Sequence, residues 1–153
     1  MTTIDPQEDH MALDSTGHAH WEGDLMTGQG TATLDSGVAG PLAMNWKARS
    51  EEHGVGTTSP EELIAAAHAA CYSMALSNGL AKAGHPPTAL DVSATATFVA
   101  GTGITSMALK LVGQVPGISE EEFQSAAQAA KEGCPVSQAL KGNVEVTLDA
   151  TLA

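Results

Sequence analysis

The sequence predicts an α+β domain, a mostly antiparallel sheet packed on a long central helix. Two observations carry this. Segments with two-residue hydrophobic alternation recur at the start, middle and end of the chain, and two stretches between them open on sharp helix-start signals. The order strands, helix, hairpin, helix, strand is that of an α+β fold and lacks the regular strand–helix alternation of a parallel sheet.

Taken in order, residues 1–17 carry no periodicity and are expected to form a flexible tail ahead of a single domain over residues 18–153. HAHWEGDL and GTATLDSG read as a hairpin joined near Met26–Gly30, and PLAMNWKAR reads as a third strand. SEEHGVGTTS is a Gly/Ser/Thr-rich loop. Ser59, Pro60 and Glu62 then supply an N-cap, a first-turn proline and a capping glutamate. The helix they open runs to a stop at Gly84 before Pro86 and Pro87. From Leu63 to Leu76 it is nearly apolar all round, which predicts burial. ALDVSATATFVA and TSMALKLVGQV form a second hairpin about Gly101-Thr102-Gly103. Ser119 and Glu122 repeat the capping box for a second helix, Cys134-Pro135 opens a short third one, and NVEVTLDATL closes as a strand.

Composition narrows the function classes. With 42% hydrophobic residues but only 3% aromatic, the core is built from Ala, Val, Leu and Met and offers little apolar area per residue. Part of its stability is therefore expected from burial against a second chain. A net charge of -12, with one arginine, argues against nucleic acid or an anionic membrane as partner. No apolar run approaches a bilayer span, and the acidic N-terminus does not read as a secretory signal, so a cytoplasmic protein is expected. The two cysteines match no CxxC or zinc-ligand spacing. By count alone they are inert buried thiols or a catalytic pair, the former being commoner.

Cys71 falls about three turns into the first long helix, beside Ala67, His68, Met74 and Ala75. Burial there raises a thiol's pKa, so reactivity requires a fixed positive charge nearby. A free thiol is only a few per cent ionised near pH 7, and lowering its pKa by about two units favours thiolate by roughly 2.7 kcal/mol. Arg49, just ahead of the loop into this helix, is the candidate for that charge, although an exposed strand arginine is the blander reading. Glu61 either complements the helix dipole or holds Arg49. Cys134 occupies an N-cap, where orphan N–H groups favour thiolate, or it simply marks a helix junction. His68 shares a face with Cys71, which allows a Cys–His hydrolase or transferase, yet a lone histidine on an apolar helix is more often a hydrogen-bonded core residue. A metal site from His10, His18 and His20 is weaker still.

SPEELIAAAHAACYSMALS (59–77) and GCPVSQAL (133–140) resemble the OsmC/Ohr family of hydroperoxide reductases. AHWEGDL, KARSEE, VPGIS and NVEVTLDATL fit the same family in order, and the OsmC-like subgroup fits better than Ohr proper. The resemblance implies an intertwined homodimer with its sites at the interface. It implies that Cys71 attacks the peroxide, that Cys134 resolves the sulfenic acid as a disulfide, and that Arg49 and Glu61 form the activating pair, with Lys47 a competing match for the arginine. It further implies a lipoyl-type external dithiol as reductant, and no cofactor or metal. The apolar face around Ala67, Met74 and Ala75 is expected to favour organic over inorganic hydroperoxides. The rival reading is a non-catalytic redox-sensing or small-molecule-binding module on the same fold.

Overall fold

The computed structural model describes residues 12–52 and 55–153. Most of the anticipated tail, including His10, lies outside these residues, as do two positions of the loop before the central helix. Two three-stranded sheets flank that helix in sequence. The first comprises β1 (Gly17–Glu22), β2 (Gln29–Leu34) and β3 (Leu42–Met44), antiparallel throughout. The turn joining β1 to β2 is held by Asp24, whose carboxylate accepts from the Met26 and Thr27 amides and the Thr27 hydroxyl at 2.7–2.9 Å. Next come α1 (Trp46–Ser50) and α2 (Pro60–Lys82). The second sheet contains the hairpin β4 (Ala89–Val99) and β5 (Gly103–Gln114), with β6 (Glu145–Leu152) parallel to β5. A parallel neighbour requires a crossover, which α3 (Glu120–Gly133) and α4 (Pro135–Leu140) provide.

The serine caps act as their sequence predicts, whereas the Glu62 carboxylate accepts from the Thr58 hydroxyl at 2.6 Å. Ser59 accepts from the Glu62 amide at 3.2 Å with Pro60 in the first turn, and Ser119 and Glu122 form the full reciprocal box. Gly84 ends α2 at φ 86°, a left-handed conformation suited to glycine. The third strand is shorter than its pattern predicts. It stops at Met44, and the residues read as its second half form α1. Asn45 causes the switch: its Oδ1 accepts from the Ala48 amide at 2.7 Å, an N-cap that turns the chain helical and moves Arg49 off the sheet.

The core lies between the inward face of the second sheet and α2, α3 and α4. Tyr72, Leu76 and Leu80 from α2 meet Leu109 and Leu111 from β5 and Phe123, Ala127 and Ala130 from α3, with Cys134 buried among them. Each large side chain here contributes about 1.5–3 kcal/mol by leaving water. Tyr72 also donates to the Ala127 carbonyl at 3.0 Å, tying α2 to α3, and burial pushes its phenol pKa up.

Burial of α2 is one-sided, contrary to its all-round apolar pattern. Ala65, His68, Tyr72, Leu76 and Leu80 face the core, while Ala66, Ala67 and Ala70 are exposed and Met74 is 73% accessible. The elements of a single chain cover only one side of the helix. The first sheet is likewise without a core of its own: every residue of β1 is exposed, and β2 is at most half-buried.

Gly113 illustrates how closely α3 approaches the second sheet. A Cβ at this position would stand 2.6 Å from Cε2 and 2.8 Å from Cζ of Phe123. Gly113→Ala is therefore expected to destabilise the fold by about 1–3 kcal/mol through overpacking. A lower urea midpoint with an unchanged slope would register this; an unchanged midpoint would mean that Phe123 moves aside without penalty.

Candidate active site

The site is assembled from the middle of α2 and the junction between α3 and α4. Cys71 is half-buried on α2, and Cys134 is fully buried where α3 ends and α4 begins. Both are free thiols, and Cys71 packs against the core cluster that contains Cys134. Burial pushes the Cys71 pKa up, the Val136 backbone N–H donates to the sulfur and pulls it down, and Cys134 pushes it up again; the net direction is upward. Cys134 is the N-cap of α4, as its sequence predicts, although its side chain makes no capping hydrogen bond. The free N–H at the start of α4 is directed to Cys71 instead, because Cys134 has its side chain turned inward.

Arg49 and Glu61 form the anticipated pair, held more tightly than sequence can reveal. Arg49 Nε lies 3.0 and 3.2 Å from the two Glu61 oxygens, and a second guanidinium nitrogen lies 2.9 Å from Oε1. The Glu61 side chain is 6% exposed and that of Arg49 34%. The guanidinium also lies 4.4 Å from the centroid of the Phe98 ring and 5.9 Å from that of Trp46, and the two rings meet edge-to-face at 6.1 Å. Lys47 is exposed and 3.8 Å from Glu52, so Arg49, and not Lys47, meets Glu61.

Beside this pair opens an apolar cleft of about 350 Å3 lined by Trp21, Leu25, Met44, Trp46, Arg49 and Pro60. Nothing in the linear sequence marks it as a unit, but the aromatic count carries a signal. In a chain with two tryptophans and two phenylalanines, Trp21, Trp46 and Phe98 gather around Arg49.

Within one chain the Arg49–Glu61 pair does not reach Cys71. Ten residues of α2 separate Glu61 from Cys71, about 15 Å along the helix axis. Among the described residues, no cationic side chain is among the groups that shift the Cys71 thiol. His68 does not serve Cys71 as a base either. It is fully buried, and its Nε2 lies 2.7 Å from Ser137 Oγ. His18 and His20 face Asp35 and Glu22 on the exposed first strand, and no metal-binding group of histidine, cysteine and carboxylates occurs among the described residues.

The OsmC-like protein family profile matches residues 51–149. The chain belongs to this family. Among its OsmC-like relatives, Peroxiredoxin OsmC of Escherichia coli (strain K12) is 48% identical over 142 residues, which are 91% of this chain and 96% of that protein. Organic hydroperoxide resistance protein OhrB of Bacillus subtilis (strain 168) is 31% identical over 122 residues, 78% of this chain and 88% of that protein. The crystal structure of that OhrB superposes with a TM-score of 0.65 at 26% identity, covering 89% of this chain and 98% of the other. The organic hydroperoxide resistance protein OsmC of Legionella pneumophila shares the fold at a TM-score of 0.73 and 24% identity, covering 92% and 98% of the two chains. No helix among the described residues of this OsmC-like chain is long and apolar enough to cross a membrane.

The buried histidine has a measurable signature. Burial lowers the His68 pKa below its ordinary value of 6.5, so the folded state binds this proton more weakly than the unfolded chain. The resulting stability is fully present above about pH 6.5 and is lost as pH falls from there toward the lower folded value. Thermal melts across pH 7.5 to 5 should show a steeper decline for the wild type than for His68→Gln. Parallel curves would mean that His68 protonates as easily folded as unfolded.

Proposed function

We propose that the protein is a homodimeric thiol peroxidase that reduces organic hydroperoxides, with Cys71 as the attacking sulfur and Cys134 as the resolving one. The placement of the two thiols as neighbours at the α2–α4 junction carries this reading. Neighbouring thiols need only a local shift to reach the roughly 2 Å of a disulfide. The names of the relatives favour the same chemistry.

The dimer answers the problem of activation. Alone, the chain leaves Cys71 as a thiol of raised pKa with the Arg49–Glu61 pair out of reach. The exposed Ala66, Ala67 and Ala70 lie between Glu61 and Cys71 on α2, and Ala66 is the midpoint. Two copies of α2 crossing antiparallel near Ala66 would set residue 61 of one beside residue 71 of the other, and alanines permit the close approach. Each site then takes Cys71 and Cys134 from one subunit and the pair of Arg49 and Glu61 from its partner. The same association covers the open α2 face and the coreless first sheet.

In the proposed reaction the Cys71 thiolate attacks one peroxide oxygen and the O–O bond breaks. Sulfur is oxidised to sulfenic acid, and the other oxygen leaves as alkoxide, which takes a proton to become alcohol. Arg49 of the partner subunit favours the thiolate and the developing alkoxide, while Glu61 of that subunit fixes the guanidinium. Cys134 then attacks the sulfenic sulfur. The S–S bond forms, the S–O bond breaks, and hydroxide leaves with the Cys134 proton as water. An external dithiol, of lipoyl type, reduces the disulfide and is itself oxidised. The cleft at Trp21, Leu25 and Trp46 would receive the apolar part of the substrate, a more enclosed place for it than the helix face at Ala67 and Met74.

One experiment tests the chemistry. After reduction and removal of reductant, one equivalent of cumene hydroperoxide should convert wild type to a Cys71–Cys134 disulfide. Cys134→Ser should gain one oxygen and Cys71→Ser should stay reduced, as read by intact mass and free-thiol counts. Survival of both thiols in wild type would end the peroxidase reading, and one turnover without a second in excess dithiol would favour a sensor. A second experiment tests the shared site. Arg49→Ala and Cys71→Ser proteins, each inactive alone, should recover about a quarter of wild-type activity when equal amounts are unfolded and refolded together, since half the dimers then hold one complete site. No recovery would assign both residues to one subunit. For the cleft, Trp21→Ala should lower kcat/KM for cumene hydroperoxide about tenfold while leaving hydrogen peroxide within about twofold; equal losses would remove the cleft from substrate binding.

A further inference from the structure

Apart from Ser59, which caps α2, His68 and Ser137 are the buried polar residues among those described that the peroxide chemistry leaves unused, and each repeats the position of a cysteine. His68 precedes Cys71 by one helical turn on α2, and Ser137 follows Cys134 by one turn on α4. Their side chains meet at 2.7 Å across the same helix–helix contact that brings the sulfurs together. His68 is fully buried and its Nδ1 has no partner, so the Ser137 bond is the one polar contact recorded for the ring. The tautomer with the proton on Nε2 leaves only a lone pair unsatisfied at Nδ1, a smaller penalty than an unpaired N–H, and makes His68 the donor to Ser137.

Val136 and Leu140 of α4 pack against the core, and the His68–Ser137 bond adds a directional contact to this apolar packing. The helix spans six residues, and no side chain caps its start. Its orientation about its own axis decides where Cys134 points. It also sets the aim of the Val136 N–H, which donates to Cys71. The hydrogen bond that His68 of the 23-residue α2 donates to Ser137 fixes that orientation one turn from the sulfur.

We infer that His68 and Ser137 are positioning residues for the resolving step, holding α4 so that Cys134 stays aligned on Cys71 while Cys71 carries the sulfenic acid. The inference rests on the proposed role of Cys134. Peroxide attack on Cys71 forms no bond to Cys134 and so does not require that sulfur to be aligned. The pair therefore acts mainly on the second chemical step and touches the first only through the aim of the Val136 N–H. A slower second step has a chemical consequence. A sulfenic acid that waits longer meets a second peroxide and is oxidised to sulfinic acid, which dithiols do not reverse.

The test separates the two steps in single-turnover mixing of full-length protein with cumene hydroperoxide. Sulfenic acid is trapped with dimedone, and disulfide is quantified by quenched-flow mass analysis. Ser137→Ala should form sulfenic acid at the wild-type rate, within about twofold, and close the disulfide about tenfold more slowly, the effect of losing one buried hydrogen bond. Sulfinic acid should accumulate in this variant when peroxide is in excess. His68→Gln, which can still reach Ser137, should close within about threefold of wild type, whereas His68→Ala should match Ser137→Ala. If Ser137→Ala proves too unstable, His68→Gln against His68→Ala makes the same comparison. Disulfide closure at the wild-type rate in both disrupting variants would overturn the inference, as would an equal slowing of both steps, which is what general loosening produces. A wild type that forms no disulfide at all would instead remove the role of Cys134 on which the inference stands.

Discussion

Ten residues of unbroken α-helix separate Glu61 from Cys71, and a helix turns that count into a fixed span of about 15 Å. Much of the molecule's organisation follows from this span. The carboxylate that anchors Arg49 and the sulfur that needs the Arg49 charge ride on one helix, so the two do not meet within a chain. Burial and the neighbouring Cys134 meanwhile leave the Cys71 thiol with a raised pKa. On the proposed assembly this separation acts as a safeguard. An unassembled chain keeps its reactive sulfur protonated, and the site is completed only when two such helices cross at their alanines. The one-sided burial of α2 and the coreless first sheet belong to the same arrangement, since a chain that finished its own core would have no face left for a partner.

The scarce aromatic side chains are divided between two tasks. Tyr72 and Phe123 fill the core, where the surrounding Ala and Leu supply little bulk. Trp46 and Phe98 bracket Arg49, and Trp21 shares its cleft. A guanidinium fixed by two carboxylate oxygens and lying over a ring retains little rotational freedom to lose when a substrate arrives. The irregular pairing between Thr97 and Phe98 in β4 occurs next to this contact, as strand irregularities beside functional groups often do.

Sequence was a good guide wherever a local rule acted alone. Ser59 with Pro60, Ser119 with Glu122, and Gly84 each announce a helix boundary through chemistry confined to a few residues, and the structure has a boundary at each. It misled where two patterns overlap. Leu42, Met44, Trp46 and Ala48 keep a two-residue alternation, yet Asn45 caps a helix in the middle of it, so Arg49 reads as a strand residue until the cap is noticed. The parallel placement of β6 depends on the α3–α4 crossover and leaves no mark on the strand itself. The apolar circumference of α2 is plain in the sequence, but which side is left open is a property of tertiary packing. The Ser137 partner of His68 was equally hidden, because it lies 69 positions further along the chain.

The junction at Cys134 joins the two halves of the proposed chemistry. The Val136 N–H, two residues beyond Cys134, is the contact within the chain that lowers the Cys71 pKa. The element that carries the resolving sulfur therefore also steadies the attacking one. Once Cys71 is bonded to Cys134, its sulfur is no longer an anion and accepts a hydrogen bond far more weakly, so the Val136 contact loses most of its value in the oxidised state. Reduction by a dithiol restores the acceptor and the bond together. In the proposed reaction the start of α4 thus supports the thiolate and gives no such support to the disulfide.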